Sequence, residues 1–173
     1  METDRLTWFN ALPAQGAQEA LRECCSAPGW AEHMSAARPY SSADDAIRRS
    51  DAIVAALTVT DLVGALASHL RIGERPDAGD DHLQAADWSR REQSGVDASD
   101  TTTRRALAEA NRQYERRFGH IYLVCAAGRT GPELLELLRG RLQNEPEVEW
   151  QVVRTELQKI NTFRLQRLVA GLP

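Results

Sequence analysis

Apolar residues recur at helical spacing through most of this 173-residue chain. Between 41 and 57, for example, small or apolar side chains return every three or four positions, at Ala43, Ala46, Ile47, Ser50, Val54 and Leu57. This spacing is typical of an amphipathic helix with one buried face. Similar patterns predict further helices over residues 14–30, 58–69, 103–118, 131–142 and 145–172. The pattern therefore predicts an all-α fold.

Local signals add helix starts and two stretches that are not helical. Ser41 and Ser42 precede two aspartates and are candidate N-caps, and Thr60 is a candidate cap for the helix over 58–69. Residues 121–127 have strand-like content but are too short and isolated to indicate a sheet. Residues 71–87 are rich in Gly, Asp and Pro and are predicted to form the longest loop. The length suits one domain, and we expect a single all-α domain over 1–173.

Composition narrows the functional classes. The chain is 42% hydrophobic, with a formal net charge of -4 and scattered arginines, so nothing indicates a nucleic-acid surface. No run approaches the roughly 18 apolar residues that cross a bilayer, and the N-terminus lacks the apolar core of a secretory signal. The three cysteines cannot all pair, and Cys24 and Cys25 are adjacent. We therefore expect a cytoplasmic protein that binds neither nucleic acid nor membrane.

Two ionisable residues fall on helix faces that should be apolar. His69 continues the stripe of Leu62, Ala65 and Leu66, and Arg164 falls within the apolar stripe of the last helix. A buried guanidinium requires a carboxylate or an anionic ligand, and a buried imidazole beside a carboxylate titrates near neutrality. Taken singly, each residue is also explained by a structural role, as a satisfied core histidine or an arginine paired with a structural carboxylate.

A third polar group lies in the segment WSRREQSGV. Ser89, Glu92 and Gln93 share one face of a helical turn. A capping box would account for Ser89 and Glu92, but it does not involve Gln93. If this face converges with His69 and Arg164, the residues would line a small polar pocket for acid–base chemistry on an anion without a metal. The alternative is a non-catalytic helical interaction domain, in which the same residues form a structural buried network.

Motifs in sequence order then resemble one family along nearly the whole chain. They are FNALP, CCSAPGW, RPY, HLRIGERP, SRREQSGV, NRQYERRFGHIYLVCAAGRT, RLQNEPEVE and ELQKINTFRLQRL. Each is weak alone, but together they resemble 2-oxo-4-hydroxy-4-carboxy-5-ureidoimidazoline (OHCU) decarboxylase, which forms (S)-allantoin in urate catabolism. The resemblance implies about eight to ten helices, a homodimer, a small-molecule substrate and no metal or other cofactor.

The resemblance also implies roles for individual residues. His69 matches the proton donor, and Leu70 stands at a substrate-contacting position where the family usually has proline. Leucine adds a backbone N–H and loosens the local chain, so a related decarboxylase with a drifted substrate is a further interpretation. Glu92 and Arg164 complete the catalytic set. Substrate-binding positions are implied for Ser89, Arg90, Arg91, Glu92 and Gln93, and, through the backbone after FG, for Tyr122, Leu123, Val124, Cys125 and Ala126.

Overall fold

The computed structural model describes residues 2–73 and 91–171. These residues contain nine α-helices, a terminal π-helical turn and no strand, which confirms the all-α prediction. None of the helices so described is long and apolar enough to cross a bilayer. The helices are α1 (Glu2–Ala11), α2 (Ala14–Cys24), α3 (Trp30–Ala36), α4 (Ala43–Ala56), α5 (Val59–Leu66), α6 (Ser94–Asp97), α7 (Thr101–Phe118), α8 (Gly131–Arg141) and α9 (Pro146–Leu165), and the π turn is Gln166–Ala170.

The start and end of α5 differ from prediction. Its N-cap is Thr58, whose hydroxyl accepts the Asp61 N–H while the Asp61 carboxylate accepts the Thr58 N–H at 2.9 Å. The predicted Thr60 cap is wrong, because this reciprocal capping box places Thr60 inside the first turn. The helix ends at Leu66, so His69 follows the helix rather than extending its buried stripe.

Other helix boundaries follow from caps and breaks. The predicted Ser42 cap of α4 is confirmed, since its hydroxyl accepts the Asp45 N–H at 3.1 Å. The helix α7 begins two residues before its predicted start, because Asp100 caps it by accepting the Thr103 N–H at 2.8 Å. The pattern missed α1 and α3, and α3 has only seven residues, too few to show a period. Residues 121–126 lie outside any helix or strand, as predicted.

Contacts divide the chain into two units, residues 1–68 with 157–173 and residues 69–156. In the first unit, α3 packs between α2 and α4, and the π turn packs on α1 and α4. The indole Nε1 of Trp30 donates to the Ser50 hydroxyl at 3.2 Å, so these two buried polar groups are hydrogen-bonded to each other. The fully buried side chains of this unit include Phe9, Leu21, Trp30, Met34, Leu62, Leu157 and Leu165.

The FNALP and RPY motifs of the first unit are joined by hydrogen bonds from side chain to backbone. The Asn10 side chain accepts the Tyr40 N–H and donates to the Tyr40 carbonyl, both at 2.9 Å. The guanidinium of Arg38 donates to the carbonyls of Phe9 and Leu12 at the end of α1, at 2.7 and 2.8 Å. FNALP and RPY therefore act in fold stability: side chains replace the partners that the last carbonyls of a helix lack.

The second unit has its own apolar core. It is formed by Ile72, Val96, Leu107, Ala110, Tyr114, Tyr122, Val124, Ala126, Leu134 and Leu138. Here α7 packs along α8, and the short α6 also packs on α8. Gly95 permits that approach, because a Cβ at this position would lie 2.0 Å from the carbonyl oxygen of Arg129. The glycine of SRREQSGV thus brings that segment against the loop that precedes α8.

Candidate active site

The predicted site residues are distributed over both units. Arg164 belongs to the first unit, whereas His69, Leu70, Arg91, Glu92, Gln93 and residues 122–126 belong to the second. Ser89 and Arg90 lie outside the described residues, and so does the predicted capping of a helix by Ser89.

The chain that follows His69 is held by three side chains. The Asn111 amide donates to the Ile72 carbonyl at 3.0 Å, and the Gln93 Oε1 accepts the Gly73 N–H at 2.9 Å. Arg71 pairs with Glu115, with Nε and Oε1 at 2.6 Å. His69 and Leu70, both half-buried, therefore directly precede a fixed stretch of backbone.

Glu92 and Gln93 are both buried, each with 9% exposure. Arg91 and Glu92 are helical and Gln93 lies in a turn before α6, so the predicted single helical face is interrupted at Gln93. Because the Oε1 of Gln93 already accepts the Gly73 N–H, its predicted contact with a substrate would come from the Nε2 amide group.

Residues 122–126 form an extended segment whose two sides differ. Tyr122, Val124 and Ala126 point into the core of the second unit. Between them, the Leu123 carbonyl accepts from Arg141 Nη1 at 2.6 Å, and the Cys125 N–H donates to Glu156 Oε2 at 2.8 Å. Side-chain packing and two buried charges thus hold the backbone of the predicted ring-binding segment.

The charge of Glu92 is felt at this segment. Burial raises the pKa of the Cys125 thiol, and the charges of Glu156 and Glu92 raise it further. Glu92 therefore lies near enough to Cys125 for its charge to act on that thiol.

Arg164 is buried in the first unit, with 4% exposure, as its position on the apolar stripe predicts. Its Nη1 donates to the Cys24 carbonyl at 3.1 Å. Burial raises the pKa of the Cys25 thiol, and hydrogen bonds with the Ala27 backbone and the Asn161 side chain, together with the Arg164 charge, act in the opposite direction. The guanidinium and the amide therefore both lie near the vicinal cysteines at the end of α2.

Among the buried polar residues of α9 that sequence reasoning missed are Glu156 and Asn161. Glu156 holds the Cys125 backbone, and Asn161 precedes Arg164 by almost one turn. The signal for Asn161 was present, because it lies beside Ile160 and close to Arg164 on the stripe that drew attention to Arg164. Glu156 could be found only from the fold, since its partner is 31 residues away.

A second buried arginine, Arg141, was also missed. Its Nε donates to Glu149 Oε1 at 2.8 Å, and the Tyr114 hydroxyl donates to the same carboxylate. Asn144 donates to Glu149 Oε2 at 2.8 Å. Burial alone would lower the pKa of Arg141, but the hydrogen bond to Glu149 more than offsets it and the pKa is raised. The RLQNEPEVE motif thus builds a buried ion pair with its partners.

Among residues 2–73 and 91–171, no cluster of three or more His, Cys, Asp or Glu side chains is arranged to hold a metal ion. The three cysteines are free thiols, two of them buried.

The family model for OHCU decarboxylase matches residues 10–166. This chain belongs to the OHCU decarboxylase family. It is 31% identical over 155 residues to a uric acid degradation bifunctional protein of Arabidopsis thaliana, covering 87% of this chain and 47% of that protein. It is 30% identical over 134 residues to the 2-oxo-4-hydroxy-4-carboxy-5-ureidoimidazoline decarboxylase of Mus musculus, covering 78% of this chain and 75% of the mouse protein. The chain thus spans about half the length of the plant relative.

A solved structure agrees with this family. A crystal structure of OHCU decarboxylase in the presence of (S)-allantoin superposes with a TM-score of 0.73 and 31% identity, covering 86% of this chain and 95% of the other. A crystal structure of (S)-allantoin synthase, at 16% identity and a TM-score of 0.69, shares the fold and covers 95% of this chain and 54% of the other.

Proposed function

We propose that this protein is a carboxy-lyase that converts OHCU to (S)-allantoin without a cofactor. The observation that carries the proposal is the family match over residues 10–166, within which His69, Glu92 and Arg164 all keep the residue types that the chemistry needs. The burial of Arg164 and the effect of the Glu92 charge on Cys125 support it.

The reaction itself explains the need for these residues. In OHCU one ring carbon carries a hydroxyl and a carboxylate, and its neighbour carries a C=N bond. When the bond to the carboxylate breaks, CO₂ leaves and its electron pair moves toward the imine nitrogen, which takes a proton. The resulting enol becomes a carbonyl when the neighbouring carbon gains a proton on one face and the hydroxyl gives up its own proton. Because the substrate supplies its own electron sink, the protein has to position it and manage these three proton transfers, at the nitrogen, the carbon and the hydroxyl.

We assign the proton transfers to His69 assisted by Glu92, acting on the ring hydroxyl and the protonated carbon. Arg164 orients the substrate oxygens; a tight grip on the carboxylate would stabilise the ground state and slow its loss. Ser89 and Gln93 hold the ureido group or ring edge, Arg90 and Arg91 contribute to the same segment, and the backbone of residues 122–126 lines the ring.

The wider assignments belong to the same proposal. We place the enzyme in the cytoplasm as a homodimer, in the pathway that degrades urate. Leu70 supports one second candidate, a related decarboxylase whose substrate has drifted, since leucine replaces the family's usual proline next to His69.

The test uses OHCU generated in situ from urate by urate oxidase and 5-hydroxyisourate hydrolase, and follows its decay by circular dichroism. We expect rapid formation of the (S)-allantoin signal, and a fall of about 100-fold or more in rate for folded His69→Ala and Glu92→Ala variants. Decay and racemic product equal to a protein-free control would reject the activity. Full activity of both variants would reject the residue assignment.

A further inference from the structure

Glu156 is a buried carboxylate that holds the backbone of the segment proposed to line the substrate ring. It has 6% exposure, and its Oε2 accepts the Cys125 N–H at 2.8 Å. Residues 121–126 lie outside any helix or strand, so regular secondary structure supplies no partners for their peptide groups. A hydrogen bond to a carboxylate is roughly twice as strong as one between neutral groups. The bond to Glu156 is therefore a strong constraint on the peptide between Val124 and Cys125.

The geometry of the peptide carries this constraint to the other side of the chain. The peptide between Val124 and Cys125 is trans, so its N–H and its carbonyl point in opposite directions. Because the Cys125 N–H is aimed at Glu156, the Val124 carbonyl points away from Glu156. The bond from Arg141 to the Leu123 carbonyl turns the Val124 N–H away from Arg141 in the same way. The two charged side chains thus orient both backbone polar groups of Val124.

Apolar packing alone does not fix this orientation. The side chains of Tyr122, Val124 and Ala126 are held in the core of the second unit, which fixes where their Cα atoms lie. A planar peptide can still rotate about the line between two fixed Cα atoms, through compensating changes in the ψ and φ angles on either side of it. An acceptor on one side of the chain selects one of these orientations, and Glu156 is that acceptor for the Cys125 N–H.

We propose that Glu156 is a positioning residue for the decarboxylation, which sets the orientation of the peptide between Val124 and Cys125 and thereby of the backbone that lines the substrate ring. The inference rests on the proposed function, in which the backbone of residues 122–126 lines the ring. Glu156 acts through Cys125 and has no assigned contact with the substrate. The competing explanation is that the charge of Glu156, rather than the reach of its carboxylate, supports activity.

Two conservative variants separate the reach of the side chain from its charge. Glu156→Gln keeps an oxygen acceptor on a side chain of the same length and removes the charge. Glu156→Asp keeps the charge but is one methylene shorter, which withdraws the acceptor from the Cys125 N–H. We expect kcat/KM for OHCU to stay within about threefold of wild type in Glu156→Gln and to fall about tenfold in Glu156→Asp. A misplacement of about 1 Å in a site costs up to about 100-fold in rate.

Hydrogen exchange of the Cys125 amide gives a readout that does not depend on activity. Exchange in Glu156→Gln should be about as slow as in wild type, and exchange in Glu156→Asp should be about tenfold faster because the hydrogen bond is weakened.

Glu133→Asp is the matched control in the same unit. The Glu133 Oε2 accepts the Thr130 N–H at 2.7 Å, so the same substitution withdraws a carboxylate from a backbone N–H outside residues 122–126. This variant should lower the melting temperature by a few degrees at most and leave kcat/KM unchanged.

The outcomes separate the inference from the proposed function. If the wild type is active and both folded Glu156 variants keep its kcat/KM, Glu156 serves fold stability alone and the decarboxylase assignment stands. A loss in Glu156→Gln equal to or larger than that in Glu156→Asp would also overturn the positioning role, because the charge would then be what matters. An equal loss in Glu133→Asp would overturn it as well, since the effect would not be specific to the ring-binding segment. An inactive wild type would reject the proposed function itself.

Discussion

The two buried arginines, Arg141 and Arg164, occupy different environments although both are almost fully enclosed, with 7% and 4% exposure. Around Arg141, the protein supplies a carboxylate from Glu149, a hydroxyl from Tyr114 and the Leu123 carbonyl. Around Arg164, the Nη1 donates to the Cys24 carbonyl, and the Cys25 thiol and the Asn161 side chain lie nearby. The first arginine is held by a buried ion pair, and the second lies beside a backbone carbonyl, a thiol and an amide.

The different surroundings of the two arginines help to tell a residue that stabilises the fold from one that binds a ligand. The sequence motifs alone do not make this distinction. Arg141 lies in RLQNEPEVE and Arg164 in ELQKINTFRLQRL, and both motifs contribute to the family resemblance. A motif match therefore indicates that a residue matters without indicating why. The contacts of each arginine are what distinguish the two cases, because Arg141 pairs with a buried carboxylate of the protein and Arg164 is the residue assigned to the substrate.

The largest effect is expected for Arg141→Met. This change leaves the fully buried carboxylate of Glu149 without its cationic partner, and breaking a buried pair from one side costs about 3–5 kcal/mol. Urea denaturation should show a loss of unfolding free energy in that range. Because Arg141 also holds the Leu123 carbonyl of the proposed ring-binding segment, the activity per folded molecule should fall as well, but by less than for Arg164→Met.

The double variant Arg141→Met/Glu149→Leu controls for charge. With both charges removed, most of the lost stability should return, since an apolar pair needs no compensation. If the double variant is as unstable as the single one, the network would act by shape rather than by charge pairing. The contrast between Arg141 and Arg164 could then no longer be attributed to the ion pair with Glu149.

The same substitution at the other arginine, Arg164→Met, is expected to affect activity more than stability. Loss of charge-assisted hydrogen bonds to substrate should lower kcat/KM by about 100-fold. The loss of unfolding free energy should be smaller than for Arg141→Met. Decarboxylation rates and urea midpoints measured on both variants test this contrast. An equal loss of stability at both positions would contradict the different roles given to Arg141 and Arg164.

The sequence predicted most of the fold and part of the candidate site. Helical periodicity identified the longer helices, and the buried position of Arg164 followed from its neighbours on the stripe. The prediction was wrong for the Thr60 cap and for His69 as part of a helix. The first error arose because the capping box forms at Thr58, and the second because α5 ends at Leu66, three residues before His69.

The remaining features depend on contacts between distant parts of the chain. Glu156 and Cys125 are 31 residues apart, and the Asn111 amide meets the Ile72 carbonyl 39 residues away. Periodicity describes one element at a time and cannot pair such positions. The roles predicted for His69, Glu92 and Arg164 came from the family resemblance and stay predictions until the variants are measured.

The smallest effect concerns His120, which lies against the Arg141 network. Its ring packs on Trp150 and Tyr114, with centroid distances of 4.2 and 5.4 Å. Burial lowers the pKa of His120 below its usual 6.5, and the charge of Arg141 acts in the same direction while that of Glu149 opposes it. Below about pH 6.5 the unfolded chain therefore binds a proton that the folded protein binds less readily.

The sign of the pH effect follows from that difference. The contribution of neutral His120 is fully present above pH 6.5 and is lost as the pH falls toward the lower pKa of the folded state. Between pH 7.5 and pH 5.5, the melting temperature should fall less in His120→Phe than in the wild type. The difference between the two decreases should be a few degrees at most. His33→Phe, at an exposed histidine, is the matched control and should keep the wild-type decrease. If the melting temperature of His120→Phe falls as much as that of the wild type, protonation of other groups sets the acid stability. The Arg141 network would then be unaffected by pH between 7.5 and 5.5.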